Sequence, residues 1–249
     1  MRFENRSVII TGASQGLGVA YAKAFLKEGA RVALVARRKE KLEDVARELR
    51  TELDPDETKR RRILVTPCDV SNEAQVKAAV SRVAEEFGTI DVLINNAALH
   101  ISSRVVDTSK DQWDRQIAVN LDGTFLCSRE VLPYMIERRY GKIVNISSSA
   151  AKHFFPGFGA YASSKGGIVS FTHTLSEEVK DYGINVNALY LGMTNTDYTR
   201  QRIENDPAVT IDLDDMLQVE EVSKVVLFFA SDDASPIMGA AIDVFGKKA

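Results

Sequence analysis

The chain has 249 residues, 45% hydrophobic and 27% charged, a globular composition that excludes the disordered and fibrous classes. Its net charge of −3 gives no positive field to recruit nucleic acid or an anionic membrane, and no stretch approaches the ~20 apolar residues that cross a bilayer. Met1 leads into a strand-like segment without an apolar leader, and Cys68 and Cys127 fit no metal or CxxC spacing, so the expectation is a cytoplasmic protein with two packed free thiols.

In chain order, short β-branched runs alternate with amphipathic stretches. Strands are expected at Ser7–Thr11, Arg31–Val35, Ile63–Val65, Asp91–Ile94, Lys142–Ile146, Ile184–Leu189 and Ala241–Val244. Helical spacing separates them, at about 17–28, 39–53, 72–87, 111–138, 158–181 and 219–231. Ser71, followed by Ala74 and Gln75, is the expected cap of the third helix, and Gly29, Gly88 and Gly183 stand where helices should end. The basic run Lys59–Arg62 follows the acidic Asp54–Glu57 and reads as a solvated loop. Nearly continuous apolar strands suit a parallel sheet covered on both faces, and repeated β-α-β units imply right-handed crossovers. The expected architecture is α/β, a doubly wound Rossmann-type fold forming one domain over residues 1–249. A mobile substrate-loop segment is expected at about 193–217.

The first strand ends in Thr11-Gly12-Ala13-Ser14-Gln15-Gly16-Leu17-Gly18 and a helix follows. Glycines in that place let the backbone turn sharply and approach a pyrophosphate, while free N–H groups and the helix dipole favour the anion. The spacing is Gly-x-x-x-Gly-x-Gly rather than the common G-x-G-x-x-G. The second strand runs into Arg37-Arg38, where an NAD site usually carries an acid for the ribose 2′-hydroxyl. Guanidinium forks suit a 2′-phosphate, so the expected cofactor is NADP(H), with NAD(H) as the alternative.

Tyr161-Ala162-Ser163-Ser164-Lys165 puts a phenol and an ammonium four residues apart on one helical face. A tyrosine titrating at about 10 is a poor base at neutral pH; lowering it by ~2–3 units takes ~3–4 kcal/mol, which a neighbouring cation can supply. Tuned in this way, Tyr161 can exchange a proton with an alcohol or ketone as hydride moves. Gly166-Gly167 would weaken a helix interior, which implies that something packs closely there. Ser147 and Ser148 stand at the carboxyl end of the fifth strand, the edge where open α/β sheets bind ligands.

With these motifs in order, the chain resembles the short-chain dehydrogenase/reductase family in its single-domain form, from Val8 to about Gly246. The resemblance implies a seven-stranded parallel sheet in the order 3-2-1-4-5-6-7. It implies a catalytic set of Asn120, Ser148, Tyr161 and Lys165, with Asn120 holding a water in a proton relay. It implies cofactor contacts from the glycine turn, Asp69 and Val70 beside the adenine, and Asn95 and Ala97 of Asn95-Asn96-Ala97-Ala98. Gly192, Thr194, Thr196 and Lys165 would lie on the nicotinamide side. Three departures stand out: Ala98 for a glycine, Leu191-Gly192 for Pro-Gly, and Asp243-Val244-Phe245-Gly246 for Val-Asp-Gly-Gly. The helices around 111–138 and 158–181 resemble those that build homodimer or homotetramer interfaces.

Substrate contacts are expected from Ala98–Ser103, His153–Phe158 and Met193–Leu217. Among them His100, His153, Phe154, Phe155, Phe158, Met193 and Tyr198 suggest an apolar, aromatic pocket for a bulky or cyclic ketone or alcohol. Three histidines without a cluster point to no metal site. The first alternative is reduction of 3-oxoacyl chains on an acidic carrier protein, with Arg138 and Arg139 as a docking patch. The second is an NADP(H) sensor without a substrate, against which Ser148, Tyr161 and Lys165 all stand.

Overall fold

In a computed structural model that describes residues 1–53, 62–205 and 215–246, the apolar runs form seven parallel strands. They are β1 (Ser7–Thr11), β2 (Arg31–Ala36), β3 (Ile63–Pro67), β4 (Val92–Asn95), β5 (Gly141–Ser148), β6 (Ile184–Leu191) and β7 (Ala241–Val244). Their order, β3-β2-β1-β4-β5-β6-β7, is the doubly wound arrangement expected of the sequence. The crossovers carry α1 (Gly16–Lys27), α2 (Lys39–Leu53), α3 (Glu73–Phe87), α4 (Lys110–Ile117), α5 (Gly123–Arg138), α6 (Gly159–Val179), α7 (Asp197–Asn205) and α8 (Val219–Ala230).

Strand alternation divides the core in two. Val8, Ile10, Val32, Leu34, Val144 and Ile146 face the layer of α1, α2 and α8, which contributes Phe25, Leu42 and Val226. Ile9, Ala33, Val35, Leu93 and Ile143 face α3, α5 and α6, which contribute Val83, Val131 and Leu175. Successive residues of a strand point to opposite faces, so burial on both sides demands the unbroken apolar runs seen in the sequence.

Several elements differ from the sequence reading. The cap of α3 is Asn72, whose side chain accepts from the Gln75 N–H, because Ser71 instead bonds Asp69 through both its N–H and its hydroxyl. The long helix expected at 111–138 is interrupted by a π-helical turn at Ala118–Asp122. Helix α7 occupies part of the expected substrate-loop segment, whose residues 206–214 lie outside the described residues. So do Lys59–Arg61 of the basic run, whereas Arg62 donates to the Leu26 carbonyl. A Cβ at Gly167 would fall 2.9 Å from a Leu121 methyl, but one at Gly166 would meet nothing within 4 Å, so close packing explains only the second of these glycines.

The carboxyl ends of β1, β4 and β5 are sewn together by polar side chains. The Thr11 hydroxyl donates to the Ile94 carbonyl and accepts from the Asn96 and Ala97 N–H groups. Asn95 and Asn145 stand in register, and the Asn95 amide donates to Asn145 at 2.8 Å and to Ser128 at 3.0 Å. At the amino edge, buried Asp91 accepts from the Ser7 N–H and pairs with Arg6 and Arg138. Arg139 bonds the Asp181 carbonyl. The expected carrier-docking pair is therefore engaged locally, and Arg138 is tied to the sheet edge remote from Ser148.

Candidate active site

The site is assembled where the chain leaves β1, β4 and β5. Lys165, one turn beyond Tyr161 on α6, is only 2% exposed, and its Nζ donates to the Ile146 carbonyl at 2.7 Å. The neighbouring Ser147 hydroxyl donates back to the Lys165 carbonyl at 2.8 Å, so β5 and α6 grip each other at this level. Burial pulls the Lys165 ammonium down to about 8. Its Nζ lies 5.8 Å from the centre of the Tyr161 ring, near enough for the ammonium charge to act on the phenol.

Ser148 ends β5, and its hydroxyl accepts from the Ala150 N–H, opening the 3₁₀ turn Ser149–Ala151. Asn120 lies in the π turn, fully buried. Its Oδ1 accepts from the Leu99 N–H at 2.7 Å, while its amide donates to the Leu99 carbonyl and to the Ser164 hydroxyl, both at 2.9 Å. Ser164 in turn donates to the Tyr161 carbonyl. Asn120 thus ties the β4 exit to the turn of α6 that carries Tyr161, and the extra residue of a π turn aims it there.

The glycine turn is shaped for a close-lying ligand. Gly12 has φ +68°, and a Cβ there would fall 2.9 Å from the Ala97 Cα. At Gly18 a Cβ would stand 2.4 Å from the Gly12 carbonyl oxygen, so helix and turn fit only with glycine. Gln15 precedes α1 and makes no side-chain cap, which leaves the first N–H groups of that helix for an anion. Ser14, Gly16 and Leu17 complete the turn, and Thr196 stands over Gly16, its methyl 3.6 Å from where a Cβ would be. Arg37 and Arg38 are exposed at the end of β2, and Arg38 reaches back to the Gln15 side chain at 3.2 Å. Asp69 follows β3, and Val70 is buried against Gly123. Thr194 donates to the Gly192 carbonyl beside the turn. The Asn95 side chain points instead into the interior network. These residues fit a nicotinamide dinucleotide: a turn with glycine at its three closest approaches, open helix N–H groups and two guanidiniums at one edge.

Of the expected pocket residues, His100, Phe158 and Tyr161 come together, with ring centres 4.4 Å apart for His100–Phe158 and 4.7 Å for His100–Tyr161. Phe155 packs on Phe158 at 5.4 Å, and His153 lies farther out, 6.5 Å from Phe155. Met193 and Tyr198 are partly exposed on the following segment, and Phe154 is open to solvent. Sequence reasoning gave no role to Gln15 as a partner of Arg38, to Ser164, or to Phe245, whose ring meets His153 edge-on. A polar residue inside the glycine motif is a signal for the first; the other two depend on contacts between distant segments. Cys68 and Cys127 are buried free thiols, and burial pushes both upward, Cys68 to about 11. Among the described residues no helix is long and apolar enough to cross a membrane, and no three metal-binding side chains cluster.

The short chain dehydrogenase family model matches residues 6–207. Meso-2,3-butanediol dehydrogenase of Serratia marcescens is 36% identical over 249 residues, which cover 99% of this chain and 95% of that protein. The 3-oxoacyl-(acyl-carrier-protein) reductase of Thermotoga maritima is 36% identical over 252 residues, covering 99% and 98% respectively. Among solved structures, a variant of actinorhodin polyketide ketoreductase with NADPH superposes with a TM-score of 0.88 at 29% identity, covering 97% of this chain and 96% of that one.

The depressed Lys165 ammonium has a consequence for folding. Below pH 8 both folded and unfolded chains hold its proton, and the folded chain bears the full desolvation penalty. Between about 8 and 10.5 the folded chain has released a proton that the unfolded chain retains, so stability from this group rises with pH. Lys165→Met is therefore expected to stabilise the cofactor-free protein at pH 7 by on the order of 2 kcal/mol, net of the lost bond to Ile146. The difference from the parent should shrink toward pH 10.5 when both are unfolded in urea. A difference that stays constant with pH would show that the buried ammonium is not the source.

Proposed function

The chain belongs to the short-chain dehydrogenase family of oxidoreductases, which interconvert alcohols and ketones, and we propose that it is an NADPH-preferring carbonyl reductase acting on apolar or cyclic substrates. The observation that carries this reading is the buried Lys165 ammonium one helical turn from Tyr161, at the sheet edge that also holds the glycine turn. NADPH, when bound, supplies the hydride. Gly12, Ser14, Gln15, Gly16, Leu17 and Gly18 would hold its pyrophosphate, Arg37 and Arg38 its 2′-phosphate, Asp69 and Val70 its adenine. Ala97, Gly192, Thr194 and Thr196 would flank its nicotinamide half.

In the reducing direction the Tyr161 hydroxyl donates its proton to the carbonyl oxygen, and the Ser148 hydroxyl donates a hydrogen bond to the same oxygen. Lys165 stabilises the phenolate that remains, since a neighbouring ammonium favours the ionised phenol. Asn120 keeps Leu99 and the Ser164–Tyr161 turn in place. In the oxidising direction the same phenolate accepts the alcohol proton. The His100–Phe158–Phe155 rings offer an aromatic wall beside Tyr161, which supports an apolar substrate. The same reading takes the chain as one cytoplasmic domain, assembled as a homodimer or homotetramer through α5 and α6. There Phe125, 42% exposed, packs edge-on against Phe171.

Reduction of a 3-oxoacyl thioester is a second reading, favoured by the identity to the Thermotoga maritima reductase. The engagement of Arg138 by Asp91 counts against the docking patch that first suggested it.

Rates of NADPH and NADH oxidation with cyclic, aryl, short-chain and 3-oxoacyl ketones test the proposal. Tyr161→Phe is expected to lose roughly 10²–10⁴-fold in kcat/KM while NADPH still binds. Retention of a tenth of the parent rate would overturn the assignment, and preference for 3-oxoacyl thioesters would establish the second reading. Arg37→Ala and Arg38→Ala should each weaken NADPH by about tenfold or more and leave NADH nearly unchanged. Equal losses for the two cofactors would remove the 2′-phosphate assignment.

A further inference from the structure

The aromatic wall beside Tyr161 does not end at Phe155. From Tyr161 the rings continue through Phe158, directly or by way of His100, to Phe155, then His153, and finally Phe245 near the carboxyl end of the chain, 5.4 Å from His153. The loop carrying the outer part of this wall is poorly supported: Phe154 is 98% exposed and Phe155 48% exposed. Its inner end is held where the Ser103 N–H donates to the Gly157 carbonyl. Its outer end is held by β7 and the residue after it, where Lys152 pairs with Asp243 and His153 meets the Phe245 ring edge-on.

Phe245 itself is firmly seated. The Gly192 N–H donates to the Val244 carbonyl at 2.9 Å, and a Cβ on Gly192 would lie 3.0 Å from the Phe245 Cα. The end of β6 therefore abuts the backbone that bears the ring. Lys152 pairs with Asp243 where both side chains are exposed and screened by solvent, and its Nζ also lies 4.1 Å from the centre of the Tyr190 ring. The His153–Phe245 contact is the one that touches a ring of the wall itself, while the His153 backbone N–H donates to the Ser149 carbonyl at 2.8 Å. Phe245 also lies in the stretch that departs from Val-Asp-Gly-Gly.

We propose that Phe245 is a specificity-determining residue of the carbonyl site, a positioning residue that acts through His153 to hold the Phe155–Phe158 wall against large apolar substrates. The proposal rests on the carbonyl-reductase reading for its choice of substrate. A segment with few buried contacts samples many positions, and a tether at its open end removes most of them. A bulky substrate, which spans the site from Tyr161 to the outer rings, gains from that ordering. A small ketone, which touches only the inner rings, does not.

The test compares the parent with Phe245→Ala and Phe245→Trp on 1-tetralone, a bicyclic aryl ketone, and on butanone. Phe245→Ala should raise KM for 1-tetralone roughly three- to tenfold with kcat within about twofold, and leave butanone kinetics and NADPH affinity unchanged. Phe245→Trp, which restores a ring, should return KM toward the parent value. Equal losses on both ketones, no change on either, or failure of the tryptophan variant to recover while it remains folded would overturn the role of Phe245. The dissociation constant of 1-tetralone from the NADP⁺ complex, read by calorimetry, separates this proposal from the reaction it rests on. Binding without turnover in the parent would end the reductase reading, and the effect of Phe245→Ala on that constant would still decide the wall. A parent that neither binds nor reduces 1-tetralone would overturn both.

Discussion

A primary ammonium enclosed in protein, with a backbone carbonyl as its hydrogen-bond partner, is the constraint around which this structure is arranged. Lys165 loses most of its hydration on folding, and the Ile146 carbonyl returns only part of it. The geometry that makes this tolerable comes from β5, paired with β6 through all eight of its residues, which holds Ile146 rigidly. The Ser147–Lys165 bond then fixes α6 to the same strand. A charge so placed weakens the fold at neutral pH, and such a burden is common where a protein trades stability for chemistry.

The charge acts only if the phenol stays beside it, and a continuous run of buried polar groups secures that. Asn95 donates to Asn145 and Ser128; Asn145 donates to Thr172 within α6; Ser128 and Thr124 bond back along α5 to Asn120. Asn120 closes the path on Ser164. Buried amides and hydroxyls of this kind contribute modestly when paired and penalise any rearrangement that unpairs them. The π turn belongs to the same device: without its extra residue, the helix carrying Phe125 and Arg129 would not also present Asn120 to Leu99.

Much of this was visible in the sequence because it depends on near neighbours. Strand alternation through Val8, Ile9 and Ile10 announces burial on both faces, and Tyr161 and Lys165 share a helix face by spacing alone. The glycine turn reads from Gly12 to Gly18 within one local segment. What was hidden depends on residues far apart in the chain. Asn120 finds partners 21 and 44 residues away, and the helical period of 111–138 gives no sign of the π turn that aims it. Arg138 looked available until the fold supplied Asp91. Ser71 and Asn72 are both good caps by type, and only the neighbouring Asp69, by engaging Ser71, decides between them. Phe245 is visible locally only as part of a departure from Val-Asp-Gly-Gly; its meaning lies in a ring contact with His153, 92 positions upstream by residue number.

In the proposed mechanism the enclosed Lys165 ammonium makes an acid and base of Tyr161. Ultraviolet difference titration of the NADP⁺ complex, with Tyr161→Phe as the blank, reads that phenol directly. A phenolate is expected about two units or more below the ordinary value of about 10, returning toward 10 in Lys165→Met. A Tyr161 phenol that titrates at 10 or above in the parent would contradict it.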